Sequence, residues 1–192
     1  IRNFIMSKLE TNTIDTVSGT STLQVGSTNT STIALKSGAT LTNFPDNTPA
    51  FEAFLSSDTT ISDATSTKIQ FNSEVFDTNN VYDNSTNYRF TPTVAGKYYC
   101  YSQTRLSAGG ASRLENFQYQ FFKNGNAYRT SGEPPFWRFN DNPIQNFSPF
   151  IANTIDLDAN DYVEVFINID ISTGSPVLVR YATTFGAYKI LT

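Results

Sequence analysis

Between residues 88 and 101 the chain reads Tyr88-Arg89-Phe90-Thr91-Pro92-Thr93-Val94-Ala95-Gly96-Lys97-Tyr98-Tyr99-Cys100-Tyr101, and this stretch constrains the fold more than any other. Its two arms are β-branched and aromatic, which suits a pleated, half-buried surface. Pro92 withdraws an amide donor and Gly96 permits a backbone angle that a side chain resists. Strand pairing is therefore expected to stop at one and restart at the other. The stretch reads as a hinge of a β-domain and not as an active site.

The same vocabulary continues along most of the chain. Strands are expected near residues 51–55, 68–71, 87–91, 97–106, 115–123, 154–157, 162–171, 178–181 and 183–191, and no stretch sustains apolar residues at helical spacing. Ala108-Gly109-Gly110 and Lys123-Asn124-Gly125-Asn126 fall between alternating runs, and Asn-Gly suits a tight hairpin whose two central residues need positive backbone angles. Many short strands at frequent turns predict an all-β fold, a sandwich of antiparallel sheets. With 192 residues, 39% of them hydrophobic, the chain can bury one sizeable core and carry a smaller module beside it.

That module precedes Pro45-Asp46-Asn47-Thr48-Pro49, where two prolines and turn formers mark a boundary. A weak repeat of Thr22-Leu23-Gln24-Val25-Gly26, Thr32-Ile33-Ala34-Leu35 and Thr40-Leu41-Thr42-Asn43-Phe44 gives short strands with apolar residues at alternate positions. Each strand offers too little to bury alone, so three copies wound about one axis would close a core of Leu23, Val25, Ile33, Leu35 and Leu41. A Thr/Ser-rich trimeric β-stalk over residues 18–48 is expected, against the alternative of a disordered linker. Residues 1–17 are left as an attachment segment and 49–192 as the head. Residues 1–5 are too short for the apolar core of a secretory signal, and Met6 is expected to be the initiator.

Charge and residue types exclude several functions. Thirteen basic residues against 17 acidic give a net charge of -4, with no run of Lys or Arg, which disfavours nucleic acid and anionic membranes. One cysteine, Cys100, and no histidine rule out zinc sites built on Cys and His, histidine-based triads and intramolecular disulfides. Cys100 is expected as a small core residue. No apolar segment approaches the roughly 20 residues that span a bilayer.

Six motifs then occur in an order that resembles the globular domain of complement C-one-q, the jelly roll shared with the tumour necrosis factor superfamily. They are Pro49-Ala50-Phe51-Glu52-Ala53-Phe54-Leu55, the run from Lys68 to Asp77 followed by Tyr82-Asp83, and Tyr88 to Pro92 with Ala95 to Tyr98. Phe122-Lys123-Asn124-Gly125, Leu157 to Val163 and Phe185 to Leu191 complete the set. The resemblance covers about residues 49 to 192 and implies a ten-strand jelly roll that forms homotrimers through aromatic residues, with Phe51, Tyr98, Phe185 and Tyr188 as candidates for the core or the trimer contact. Two features depart from animal members: the Thr-rich repeat replaces a collagen stem, and a long Pro- and aromatic-rich segment lies between Tyr128 and Phe150. The residues from Met6 to Ile14 and the stalk resemble those of bacteriophage fibre and decoration proteins.

Two clusters carry candidate chemistry. Trp137 and Phe139, with Phe136, offer an aromatic platform on which a sugar could stack, and Arg138, Asn140 and Asp141 offer polar partners for its hydroxyls. The alternative is that these aromatics pack the segment onto the sandwich or a neighbouring subunit. Asp156, Asp158 and Asp161 have the oxygen chemistry of a calcium site, but alternation and the turn at Asn160-Asp161 make solvated turn acids the expectation. No cofactor is expected, calcium being the one candidate. Paired carboxylates can hydrolyse glycosides without histidine, yet no pair is singled out by spacing, so an enzyme such as a capsule depolymerase is not expected. The sequons Asn29-Thr30-Ser31, Asn84-Ser85-Thr86 and Asn146-Phe147-Ser148 are what a Ser/Thr/Asn-rich chain produces by chance.

The function expected is that of a non-enzymatic virion protein: a trimeric capsid fibre or decoration, or a tail-fibre tip. Its amino-terminal segment would dock on a capsid or tail protein and its head could adhere to cell-surface glycans. The alternative is a secreted C-one-q-like lectin or adhesin.

Overall fold

A computed structural model describes residues 37, 46–109, 113–128 and 144–190. The chain divides into two compact units, 1–44 and 45–192, and the second is described below. The stalk positions Leu23, Val25, Ile33, Leu35 and Leu41 lie outside the described residues, as do Phe136, Trp137, Arg138, Phe139, Asn140 and Asp141. Every regular element among the described residues is a strand, and no helix long and apolar enough to cross a membrane is found among them.

The strands, numbered along the chain, form three antiparallel sheets. Sheet one contains β1 (Ala50–Phe54), β4 (Ser73–Asp77), β7 (Gly96–Gln103), β12 (Phe150–Leu157) and β15 (Thr184–Lys189), in the order β12-β7-β15-β1-β4. Sheet two contains β5 (Tyr82–Asp83), β6 (Arg89–Phe90), β9 (Leu114–Lys123), β10 (Asn126–Ala127) and β13 (Val163–Ile171), in the order β10-β9-β13-β6-β5, with β3 (Thr67–Lys68) also on β13. Four two-residue strands form the third: β2 (Thr59–Thr60), β8 (Leu106–Ser107), β11 (Asn146–Phe147) and β14 (Val177–Leu178).

Eight strands pair as nested partners: β1 with β15, β6 with β13, β7 with β12 and β9 with β10. This is one long hairpin rolled so that successive pairs fall alternately in sheet one and sheet two, the jelly-roll connection. The head is therefore an all-β antiparallel jelly roll. The expected ten strands correspond to the five-strand paths of the two main sheets, and β3 and the third sheet are additional.

The residues from 88 to 101 make one of these crossings. Phe90 ends β6 in sheet two and Gly96 opens β7 in sheet one, so Pro92 and Gly96 bracket a passage between sheets and not a hairpin. Between the sheets Phe51, Tyr98, Ile155 and Phe185 meet Phe90, Phe121, Val163 and Val165, each 1% exposed or less. Phe51 stacks on Tyr82 at 4.6 Å and on Phe90 at 5.0 Å, and Phe185 stands edge-on to Phe51 at 4.9 Å. Such offset and edge-on pairs add to what area burial provides. Cys100 is fully buried on the same layer, which raises its thiol pKa well above the usual range.

Polar groups in this core are paired. Ser102 Oγ donates to Thr184 O at 2.6 Å and accepts from Tyr119 OH at 2.5 Å. Thr183 Oγ1 donates to Val179 O and accepts from Thr104 Oγ1, both at 2.8 Å. Among the described residues no buried side-chain nitrogen or oxygen lacks a partner.

Three local expectations are corrected. The last strand of sheet three stops at Leu178 and not at residue 181, because Tyr181 adopts a left-handed φ of 58° that ends an extended run. β12 begins at Phe150, four residues before the expected start, where Ala152 and Asn153 blur the alternation at a sheet edge. The edge strand β4 was not anticipated as a strand, since a register shift opposite Glu52 and Ala53 breaks its pattern.

Candidate functional site

Because directly opposed residues of antiparallel strands point to one face, the register of sheet one defines rows on its outer surface. Ala50, Tyr188, Tyr99 and Thr154 form the row nearest the point where the chain enters the sandwich. The next row is Phe76, Glu52, Gly186, Tyr101 and Ala152, and the third is Ser73, Phe54, Thr184, Gln103 and Phe150. The alternate residues Phe51, Tyr98, Cys100 and Phe185 face inward.

The rings on these rows touch. Tyr99 lies 5.5 Å from Tyr188 and 6.2 Å from Tyr101, centroid to centroid. Tyr101 lies directly over Gly186: a Cβ placed there would collide with the Cζ, hydroxyl and Cε1 atoms of its ring. Its hydroxyl donates to Glu52 Oε2 at 2.8 Å, and burial first, then this carboxylate, hold its pKa well above the ordinary tyrosine value. Tyr188, Phe76 and Phe150 are 39, 44 and 59% exposed, and Val75 beside Phe76 is 61% exposed. At the far end Phe54 packs on the exposed Tyr181, 5.7 Å away, and the Arg180 guanidinium lies 5.3 Å from the Tyr181 ring. The three tyrosines form one ring cluster near the middle of the face, and Phe76 and Phe150 add exposed apolar surface on its two edge strands.

The four aromatic candidates thus part company: Phe51, Tyr98 and Phe185 fill the core, and Tyr188 stands on the outer face. Tyr98 also donates its hydroxyl to Val94 O at 2.6 Å, and burial pushes its pKa up to about 12. Tyr99, Tyr101, Phe76 and Phe150 were not singled out. For the tyrosines the alternation of Tyr98-Tyr99-Cys100-Tyr101 was the available signal, since a buried Cys100 places both neighbours on the opposite side.

The acidic cluster is resolved by lysine. Lys123 Nζ donates to Asp161 Oδ2 at 2.8 Å and to Asp156 O at 2.7 Å. Asp161 also accepts from Asn124 Nδ2 at 2.7 Å and from the amide of Asp158 at 2.9 Å. The hydrogen bond from Lys123, then that from Asn124, lowers the Asp161 pKa to about 2. Asp161 is therefore a clamp on the turn and not a simply solvated acid. Asp156 and Asp158 remain exposed, and among the described residues no group of three or more His, Cys, Asp or Glu is placed to hold a metal. Asp83 has the same structural role elsewhere: it accepts from the amides of Ser85, Thr86 and Asn87, and the Thr86 amide foremost holds its pKa well below the ordinary range.

Comparison with known proteins finds no matching family model and no matching curated protein. Solved structures that the chain is similar to include an Eiger TNF from S. frugiperda, 14% identical over 74% of this chain and 90% of that one, with a TM-score of 0.45. Murine APRIL is 14% identical over 73% of this chain and 98% of its own, with a TM-score of 0.48. The globular domain of a zebrafish complement 1qA protein is 15% identical over 76% and 98%, with a TM-score of 0.47.

Proposed function

We propose that this chain forms the head and stem of a homotrimeric, non-enzymatic virion protein, a capsid fibre or decoration or a tail-fibre tip, and that the heads associate through the outer face of sheet one. The observation that carries the association is the ring cluster of Tyr99, Tyr101 and Tyr188, with Phe76 and Phe150 exposed on the same face. The virion placement is supported by the resemblance of residues 6–14 and the Thr/Ser-rich repeat to phage fibre and decoration proteins. Fully burying one large apolar side chain is worth about 1.5–3 kcal/mol, so a face with several of them gains from a partner. The stalk repeat has the same need, with two apolar positions per strand and nothing in its own sequence to cover them. A head and a stem that both require neighbours support one assembly of identical chains. Residues 1–17 would then attach it to a capsid or tail protein.

Antibody labelling of particles purified from the source culture, with copy number by quantitative mass spectrometry, tests the placement. Label on the particle surface in multiples of three is expected. Protein recovered only free in the medium would replace the virion reading with that of a secreted adhesin built on the same trimer.

A further inference from the structure

We propose that the outer face of sheet two binds an uncharged oligosaccharide. This rests on the assignment of sheet one as the association face only in that it leaves the opposite face of the sandwich open to solvent. The register of β9 and β13 sets four outward rows: Phe122 with Glu164, Gln120 with Phe166, Gln118 with Asn168, and Asn116 with Asp170. At about 3.4 Å per residue along a strand, the rows extend over roughly 20 Å.

One end of this strip is aromatic. The Phe122 and Phe166 rings lie 4.1 Å apart at 33°, and both remain partly exposed. Tyr162, two residues before Glu164, carries the Arg89 guanidinium over its ring at 4.4 Å. The other end is lined with amides. Gln118 Nε2 donates to Gln120 Oε1 at 3.1 Å, and Asn116 Nδ2 donates to Asp170 Oδ2 at 2.7 Å. An amide offers two donors and two acceptor lone pairs, more than these contacts use, so each side chain can both donate to and accept from a hydroxyl.

Charge decides the ligand class. The two carboxylates of the strip are already engaged, Glu164 by Lys68 at 3.0 Å and Asp170 by Asn116. Lys68 in turn donates to Asn87 O at 2.9 Å, which commits its ammonium inside the protein surface. Lys68 cancels the charge of Glu164, whereas Asp170 keeps its negative charge beside a neutral amide; that charge and the chain's net charge of -4 disfavour an anionic polymer. Apolar ring surface beside paired amide donors and acceptors fits a molecule with a C–H face and a fringe of hydroxyls, which is an uncharged sugar chain.

The full chain should be retarded in native gels containing neutral polysaccharides, tested as a panel of β-glucan, mannan, galactan and chitin-derived chains, with dextran sulfate as the anionic arm. Retardation by at least one neutral polymer is expected. The double variant Gln118→Ala/Gln120→Ala should weaken it tenfold or more while still unfolding in one cooperative transition, and Phe166→Leu should weaken it while keeping an apolar side chain. Retardation by dextran sulfate alone, by no neutral polymer, or undiminished in the amide variant would overturn the proposal. Light scattering on the same samples separates the two claims: a trimer that is not retarded removes the sugar site alone, and a monomer that is retarded removes the association face alone.

Discussion

On sheet one the outward positions of β7 and β15 hold Tyr99, Tyr101, Gly186 and Tyr188, whereas on sheet two the outward positions of β9 and β13 hold Asn116, Gln118, Gln120, Asn168 and Asp170, with Glu164 and the rings of Phe122 and Phe166 at one end only. Both faces come from the same alternation over the same core, and neither is more regular than the other. What differs is the consequence of losing water. Ring surface on sheet one gains when covered, while amides on sheet two lose about 1–3 kcal/mol for each polar group left unpaired. The first face is suited to a second copy of the protein, and the second to water or to a ligand that replaces water's hydrogen bonds.

The strongest way to break this contrast is to remove what both faces stand on. Phe185 touches the rings of Phe51, Phe71, Tyr82 and Phe121 and is fully buried. Phe185→Ala should cost about 3–5 kcal/mol in denaturant unfolding, and the two faces should be lost in a single transition. Survival of either face's activity after that loss would show that the sheets are not one cooperative unit. Gly186→Ala acts on sheet one alone. Its new Cβ has to displace the Tyr101 ring and with it the bond to Glu52, so a cost of about 1–3 kcal/mol is expected, together with weaker association.

Acid separates the turn from both faces. The Asp161 pKa is lowered from 3.8 to about 2, so its contribution to stability is present in full above pH 4 and is lost as the pH falls towards 2. Asp161→Asn should flatten the pH dependence of the melting temperature in that interval. A slope identical to that of the parent protein would assign the acid sensitivity to other carboxylates. The smallest effect is expected from Asn116→Ala on sheet two, about 0.5–1 kcal/mol for one partly exposed hydrogen bond, without any change in assembly.

How much of this could be read from the residues depends on the range of the interaction. The Asn124-Gly125 turn was legible because its chemistry is local: both residues have positive φ, 50° and 76°, and Lys123 pairs with Asn126 across them. The outward placement of Tyr99 and Tyr101 was half legible, since alternation fixes which residues share a side but not which side meets the core. The pairing of Ala50 with Tyr188, the seat of Tyr101 on Gly186 and the Lys123–Asp161 bridge join residues far apart in the chain, and no local pattern announces them. Asp161 was expected among solvated acids for that reason, because its partner lies on a different strand. The resemblance to a jelly roll did reach the long-range pairing, since motif order carries topology that composition does not.

The central claim is that the outer face of sheet one holds copies of the chain together, and light scattering during size-exclusion chromatography tests it most directly. Tyr188 and Phe76 lie on that face on two different strands, so Tyr188→Glu with Phe76→Glu should cost the folded monomer about 0.5–1.5 kcal/mol per site, through the lost Tyr99 contact and the charge opposite Glu52, while placing two charges in the contact. The parent protein is expected to elute with the mass of three 21.3 kDa chains, and the double variant with the mass of one. A parent protein that elutes as a stable monomer, or a double variant that keeps the full mass, would contradict the account.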